Sequence, residues 1–262
     1  MLRFVALFLT VPLVAQAPSG RWTLGAFGVS PGLTGQYRDY GSSYTDFDIE
    51  KDFKLGKDGT GIGLHMEYSG PRFGFSVSYG TQDYAGRNEI TRSFKVADIE
   101  FKAGMDVTSS IKHTVYDANW TIKLLSNRNA WLGVDLGIQG WYLDVEATGM
   151  VSVQDPDFPT PAVDFSKVDE SYIMPIPHIG ISGGLNALDN RFVIGAKAHF
   201  LIYRAAKYTR FAADARYYFL PWLGIRVFAD TQSVDAPESS IINNVDANLD
   251  RTGVGFGIVA RW

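Results

Sequence analysis

The stretch Val254-Gly255-Phe256-Gly257-Ile258-Val259-Ala260-Arg261-Trp262 alternates between apolar side chains and small or polar ones. A period of two is typical of a β-strand, because successive side chains point to opposite faces. One face is almost wholly apolar and carries Val254, Phe256, Ile258, Ala260 and Trp262. The other face carries Gly255, Gly257, Val259 and Arg261, and Gly253 just before the stretch continues it. This stretch therefore predicts a strand with one apolar side and one side able to face a polar interior.

The same alternation recurs along most of the chain beyond residue 20. It predicts ten strands, near residues 21–30, 60–69, 72–85, 111–125, 130–147, 171–187, 191–202, 208–220, 223–233 and 250–262. Eight or twelve strands also fit, because two segments are ambiguous. Residues 45–55 are one of them, and residues 88–112 are the other. In the second, Ile90–Phe94 and Ile99–Phe101 would either extend a hairpin or form further strands.

Aromatic residues gather where the predicted strands meet their turns. Short turns near residues 69–71, 126–129, 188–190 and 220–222 alternate with longer polar stretches near 30–60, 86–110, 154–170 and 234–247. The alternation of short turns with long loops, together with a girdle of aromatic residues, is typical of a transmembrane barrel. No apolar run reaches the roughly 18 residues that a membrane helix needs. The fold predicted is all-β, a transmembrane antiparallel up-and-down barrel. The girdle residues are Trp22, Tyr68, Phe73, Trp131, Phe192, Phe219, Trp222 and Trp262.

Composition narrows the possible functions. The chain has 262 residues, with 24 Lys and Arg against 28 Asp and Glu, and it has no cysteine. Disulfides, thiolate metal sites and cysteine nucleophiles are thereby excluded. The net charge of −4 and the isoelectric point of about 5.6 argue against nucleic acid as a partner.

The first residues have the pattern of an export signal. Arg3 precedes an apolar stretch from Phe4 to Val14, and Ala15-Gln16-Ala17 has the small-x-small form of a cleavage site. We expect residues 1–17 to be a signal peptide, cut after Ala15 or Ala17, and residues 18–262 to be the barrel domain.

The signal, the turn-and-loop rhythm and the final aromatic strand together resemble a Gram-negative outer-membrane β-barrel of the small OmpA/OmpW-like class. Thr45–Phe53 and the overall layout also resemble a group of little-characterised bacterial outer-membrane barrels. The resemblance implies residence in the cell outer membrane and contact with its lipids and lipopolysaccharide. It also implies that Val254, Phe256, Ile258, Ala260 and Trp262 form the assembly signal read by the barrel-assembly machinery.

The inward faces of the predicted strands carry charges of both signs in similar numbers. Balanced buried charges usually pair, because an unpaired ion in a low-dielectric interior is costly. The sequence therefore predicts a mostly filled lumen, although glycines on the same faces leave room for a narrow path. We predict a polar network of Glu67, Asp117, Lys123, Asp135, His178, Ser182, Lys197, His199, Asp214, Arg216, Arg226 and Arg261.

All four histidines fall on predicted inward faces, and His178 and His199 should meet across one hairpin. With Ser182, they suggest a two-histidine metal site, a hydrolase-like cluster or a hydrogen-bonded network, and the network is favoured. Lipid A deacylases and omptin proteases pair histidine with serine or aspartate, but this chain lacks their Asp-x-His spacing. The acidic stripe Asp46, Asp48, Glu50 and Asp52 is interpreted as a solvated strand face, not a calcium loop.

These observations favour a barrel without enzymatic activity, cofactor or metal, and with a structural, adhesive or narrow-channel role. A channel for small solutes or hydrophobic compounds is the alternative, and a lipid-modifying enzyme is a third hypothesis. The sequence does not identify a ligand.

Overall fold

The computed structural model describes residues 20–40, 44–55, 59–97, 99–153, 162–203, 206–237 and 245–262. The signal peptide predicted for residues 1–17 lies outside them. The described residues form thirteen strands in one antiparallel sheet. They are β1 (Arg21–Asp39), β2 (Thr45–Asp48), β3 (Thr60–Ser69), β4 (Phe73–Glu89), β5 (Phe94–Val96), β6 (Ile99–Phe101), β7 (Asp106–Ser126), β8 (Ala130–Val153), β9 (Ala162–Ala187), β10 (Phe192–Tyr203), β11 (Ala206–Tyr218), β12 (Leu223–Ala236) and β13 (Val245–Arg261).

Ten of these strands close into a barrel, which confirms the predicted fold class. The ring runs β1-β3-β4-β7-β8-β9-β10-β11-β12-β13, and β13 pairs with β1 from Thr23↔Arg261 to Asp39↔Val245. Closure leaves no free edge along this seam, so the backbone groups there are satisfied within the sheet. Among the described residues, no helix is long and apolar enough to cross a membrane.

The barrel has two ends of different character. Strand β1 begins, and strand β13 ends, at the end of the barrel that carries the four tight turns, which we call the turn end. Several strands are longer than predicted at the opposite end, which we call the cap end. There β1 continues to Asp39, and β9 begins at Ala162 rather than near residue 171. Residues 31–39, expected in a polar loop, are therefore strand.

The hydrophobic pattern changes phase part-way along the strands, and this explains the extra length. On β8, Leu132, Leu136 and Ile138 face outward near the turn end and are about half exposed. Beyond Gly140 the apolar side chains move to the inward face, where Trp141 and Val145 are fully buried. The half near the turn end thus has an apolar outside, and the half near the cap end has an apolar inside. Only the first half carries a lipid-compatible belt.

Aromatic side chains border the belt on both sides. The predicted girdle residues all lie at the turn end, and Trp131 among them is on the inward face, beside Gly184 and Lys123. A second aromatic row lies six to eleven residues further along the strands. On β10 and β11 the spacing is eight residues, which at roughly 3.3 Å per residue and a tilt of about 40° gives a belt roughly 20 Å tall. This row consists of Tyr79, Tyr116, Tyr142, Phe200 and Phe211.

A small subdomain, the cap, covers the mouth of the barrel. It comprises residues 44–55, 90–97 and 99–105, so the two ambiguous segments add no strand to the ring. Strand β2 pairs with the end of β1, and β5 and β6 continue this small sheet. Its far side reaches β9, where Ser166 donates to the carbonyl of Glu100 at 3.3 Å. Because β1 and β9 lie opposite each other in the ring, the cap spans the mouth.

The cap contradicts the interpretation of the acidic stripe as a solvated strand face. Only Asp46 and Asp48 are in a strand, and a turn follows at once. Asp48 and Asp52 are buried; Asp48 accepts the backbone N–H groups of Glu50 and Lys51 in this turn, and Asp52 accepts that of Asp48. Acidic side chains are favoured here because they satisfy donors that a tight turn leaves without backbone partners.

Candidate functional site: the barrel lumen

The lumen within the belt is filled by charged side chains from strands on opposite walls. Near the turn end, Arg216 on β11 donates to Glu67 on β3 and to Asp214, each at 2.7 Å. Arg226 on β12 lies 3.4 Å from the same Asp214 carboxylate. His65 contacts Glu67 at 3.3 Å. The contact between Arg216 on β11 and Glu67 on β3 crosses the barrel from one wall to the other. This group therefore fills the lumen rather than lining a passage.

A second group lies further from the turn end and is centred on Arg210. Its guanidinium contacts Asp117 on β7 at 2.6 Å and Asp230 on β12 at 2.7 Å. Arg251 on β13 also reaches Asp230, at 3.1 Å, and donates to Gln82 at 3.0 Å. The two carboxylates are almost entirely buried, so each depends on these cations for its charge to be tolerated.

The predicted meeting of His178 and His199 is present in the structure. Their rings stack with centroids 4.5 Å apart. His199 Nε2 contacts Asp135 at 3.0 Å, and His178 Nε2 contacts Asn119 at 2.7 Å. Ser182 donates to Asp135 at 2.8 Å.

This geometry does not fit a nucleophile with its base. In a hydrolase, the serine hydroxyl bonds to the histidine and the carboxylate lies behind that histidine. Here Asp135 stands between Ser182 and His199, so no described histidine forms a hydrogen bond with the Ser182 hydroxyl. Within the described ranges, no group of three or more His, Asp or Glu side chains could hold a metal ion. The arrangement is that of a hydrogen-bonded network.

Three cations of the predicted network lie apart from its carboxylates. Lys123 donates to Ser69 Oγ at 2.8 Å and to the carbonyl of Gly70 at 2.7 Å, near the turn end. Arg261 is at the rim, where it donates to two turn carbonyls and lies over the Tyr218 ring. Lys197 faces Ser182 across the β9–β10 pair and makes no ion pair with any described residue.

The inward glycines do not leave a path. A Cβ on Gly137 would come within 2.5 Å of His178 Nε2, and one on Gly180 within 2.4 Å of His199 Cδ2. These two glycines make room for the histidine pair. Gly255 and Gly257 likewise face Phe228 and Phe27. The space that the sequence leaves at these glycines is therefore taken by aromatic and imidazole rings.

Two small cavities remain among the charged side chains, of about 90 Å³ and about 50 Å³. Lys197 and Asp214 line both of them. Gln139 borders the larger cavity, and its Nε2 has no partner among the described residues, while its Oε1 accepts from Trp141 and Tyr208 at 3.0 Å. Cavities of this size with unpaired polar atoms suit a few water molecules.

An apolar cluster closes the lumen above these cavities. Trp141 and Tyr208 form its floor, and Phe53 of the cap is fully buried at its centre. Phe53 packs against Phe47 and Phe94, with ring centroids 5.2 Å away in both cases. The loops that the sequence suggested were polar thus contribute buried aromatic side chains, and the polar part of the lumen ends below them.

Two carboxylates of the cap have shifted pKa values. Burial alone would raise the pKa of Asp48, but hydrogen bonds from Lys51 and Gln36 outweigh it and lower the pKa. For Asp52, burial prevails and raises the pKa, although Arg92 donates to both of its oxygens. The Asp52–Arg92 pair ties the first half of the cap to the second.

Sequence reasoning missed Arg210 and Arg251, which are central to the second group. The period of two places both on inward faces, in step with Asp214 and Gly253. Arg251 lies between the outward Asp250 and Thr252, and Arg210 lies between Thr209 and Phe211, so both are at the edge of the apolar alternation that marks the faces. The alternation of inward and outward positions along the strand was the one sequence feature that could have identified these two arginines.

This architecture is similar to that of solved outer-membrane proteins. The outer membrane protease OmpT from Escherichia coli superimposes with a TM-score of 0.57 at 12% identity, covering 94% of this chain and 98% of that one. The fold is that of an outer-membrane β-barrel. The Ail protein of Yersinia pestis matches with a TM-score of 0.37 at 12% identity, covering 93% of this chain and 99% of that one. No protein-family model and no curated protein sequence matches the chain.

Proposed function

We propose that this protein is a non-conducting barrel of the Gram-negative outer membrane that holds a folded cap at the cell surface. The proposal rests on one observation, which is that both halves of the lumen are filled by side chains. Ion pairs occupy the half within the belt, and an apolar cluster that includes the cap occupies the other half. A structural or adhesive role follows, in which the cap is the part offered to the outside.

The belt and the strand order support the location. Half-exposed apolar side chains would be costly in water, and an outer-membrane barrel places them against lipid. With an even number of strands, both termini lie at the turn end, which we assign to the periplasm. Export would remove the signal at residues 1–17, and β13 with its exposed Val254, Phe256 and Ile258 would present the signal to the assembly machinery. Membrane lipids and lipopolysaccharide are then the surrounding partners.

A channel is the alternative, and the apolar cluster argues against it. Ions would have to pass Trp141 and Tyr208, both fully buried, and then the aromatic side chains of the cap. A dry constriction of this kind is a barrier to hydrated ions.

An enzymatic role is also disfavoured by the placement of the histidines. The chain has four histidines, at positions 65, 113, 178 and 199, and all are almost completely buried inside the barrel. None is at the cap-end rim, where a surface substrate would arrive. We therefore propose no catalytic site, metal or cofactor.

Conductance in planar bilayers tests the proposal. Refolded wild-type protein should produce no stepwise current, and neither should Trp120→Ala, which removes an exposed tryptophan from the outer face. Trp141→Ala combined with Tyr208→Ala removes only the floor of the apolar cluster, and because the ion pairs and Phe53 of the cap remain, this variant should also produce no stepwise current. Regular current steps from the wild type would refute the closed lumen. Folding is checked separately, because a closed barrel migrates faster on gels before boiling than after.

A further inference from the structure

Charge is distributed unevenly between the two ends of the barrel. The turn end carries five arginines, Arg21, Arg72, Arg128, Arg191 and Arg261. Asp189 is its one acidic side chain outside the lumen among the described residues. The other described acidic side chains outside the lumen belong to the cap end, and the chain as a whole has a net charge of −4. The excess of arginine at the turn end is therefore a local feature, because the composition of the whole chain is acidic.

Three of these arginines are exposed and free of ion pairs. Arg21, Arg72 and Arg191 are exposed, and no described carboxylate lies within ion-pair distance of them. Arg128 has a weak contact of 3.5 Å to Asp189, with both side chains more than 80% exposed.

Each free arginine directly precedes an aromatic residue of the girdle. The pairs are Arg21-Trp22, Arg72-Phe73 and Arg191-Phe192, each at the start of a strand that rises from the turn end. Aromatic girdles lie at the level of the lipid headgroups. A guanidinium one residue outside the girdle is therefore at the height of the phosphate layer.

We propose that Arg21, Arg72 and Arg191 form a rim that binds the phosphates of anionic phospholipids in the leaflet around the turn end. Guanidinium groups bind phosphate oxygens bidentately, and basic groups near a membrane attract anionic lipid. The inference rests on the proposed membrane location. It adds that the barrel selects its neighbouring lipids and that the selection occurs at the turn end only.

Tryptophan quenching tests this directly, because Trp22, Trp222 and Trp262 lie at the same end as the arginines. The protein is refolded into phosphatidylcholine vesicles that contain a small fraction of brominated phosphatidylglycerol or the same fraction of brominated phosphatidylcholine. Bromine quenches tryptophan on contact. We expect roughly a fivefold local enrichment of the anionic lipid, the scale of one basic residue at a charged surface. Quenching by phosphatidylglycerol should exceed that by phosphatidylcholine, and added salt should reduce the excess.

The matched variants remove equal charge at opposite ends. Replacing Arg21, Arg72 and Arg191 with Gln should abolish the excess quenching. Replacing the exposed Lys112, Lys167 and Lys207 at the cap end with Gln should leave it unchanged. Equal quenching by both lipids in the wild type, or an excess that survives the arginine changes, would overturn the inference. Absence of quenching by either brominated lipid would instead overturn the membrane location.

Discussion

Loss of Arg210 provides a quantitative test of the filled lumen. This side chain is 16% exposed, and it pairs with Asp117 at 2.6 Å and with Asp230 at 2.7 Å. In Arg210→Met, Asp230 retains Arg251, but Asp117 keeps only the amide of Asn119. Removing one partner of a buried ion pair costs about 3–5 kcal/mol, because the other charge is left uncompensated. We expect a loss of that size in the free energy of unfolding.

The second variant distinguishes the lost charge from lost packing. Adding Asp117→Asn to Arg210→Met removes the uncompensated carboxylate and should restore most of the stability, since neutral replacement of a buried pair is often tolerated. Lys207→Met, on the same strand but exposed, should change stability by less than about 0.5 kcal/mol.

The assay is denaturant unfolding of protein refolded in lipid vesicles, followed by tryptophan fluorescence. The reasoning fails if Arg210→Met is no more costly than Lys207→Met. It also fails if Asp117→Asn does not rescue, because the cost would then come from packing rather than from charge.

Three further outcomes follow from the belt and the cap. Ala215 faces outward between Ile194 and Val227, so Ala215→Arg should cost about 2–4 kcal/mol in the same unfolding assay, whereas Ala215→Ser should cost much less; equal losses would show that the face assignment is wrong. Phe53→Ala should destabilise the cap by about 3–5 kcal/mol and speed its proteolysis without changing the heat-modifiable gel shift of the barrel, and an unchanged cleavage rate would contradict its central place in the apolar cluster. Because the folded pKa of Asp48 is lowered, its carboxylate stabilises the cap above the unfolded value of about 3.9, and this is lost as the pH falls through the folded value. Protection of the Glu50 and Lys51 amides, whose N–H groups donate to Asp48, should therefore weaken at low pH in the wild type, and Asp48→Asn should weaken it at neutral pH already.

The sequence predicted the barrel and the place of its ten ring strands, with eight or twelve left open, because the belt half of the strands has a strong apolar alternation. On β13, Phe256 and Ile258 alternate with glycines. This alternation predicts both the strand and which of its residues face inward and outward. The same parity brings Asp214 and Arg216 into the lumen, where the structure pairs them at 2.7 Å.

The cap could not be predicted in this way, because its packing depends on contacts between remote segments. Phe53 and Phe94 lie in stretches of mixed polarity, and only their meeting over the mouth buries them. The phase change on β8 between Ile138 and Trp141 was present in the sequence. In the proposed membrane location, it marks the height at which the surroundings of the strand change from lipid to water, and it would have indicated that the strands continue beyond the belt.

The cap also acts as a strut across the barrel. It ties β1 to β9, on opposite sides of the ring, and the hydrogen bond between Thr45 and Tyr172 links residues 127 apart in the chain. A ring of strands without such a tie can flatten into an ellipse when the membrane presses on it, whereas a braced ring keeps its diameter. The strut needs the ends of both β1 and β9, so the width of the mouth is fixed only when both sides of the ring are present.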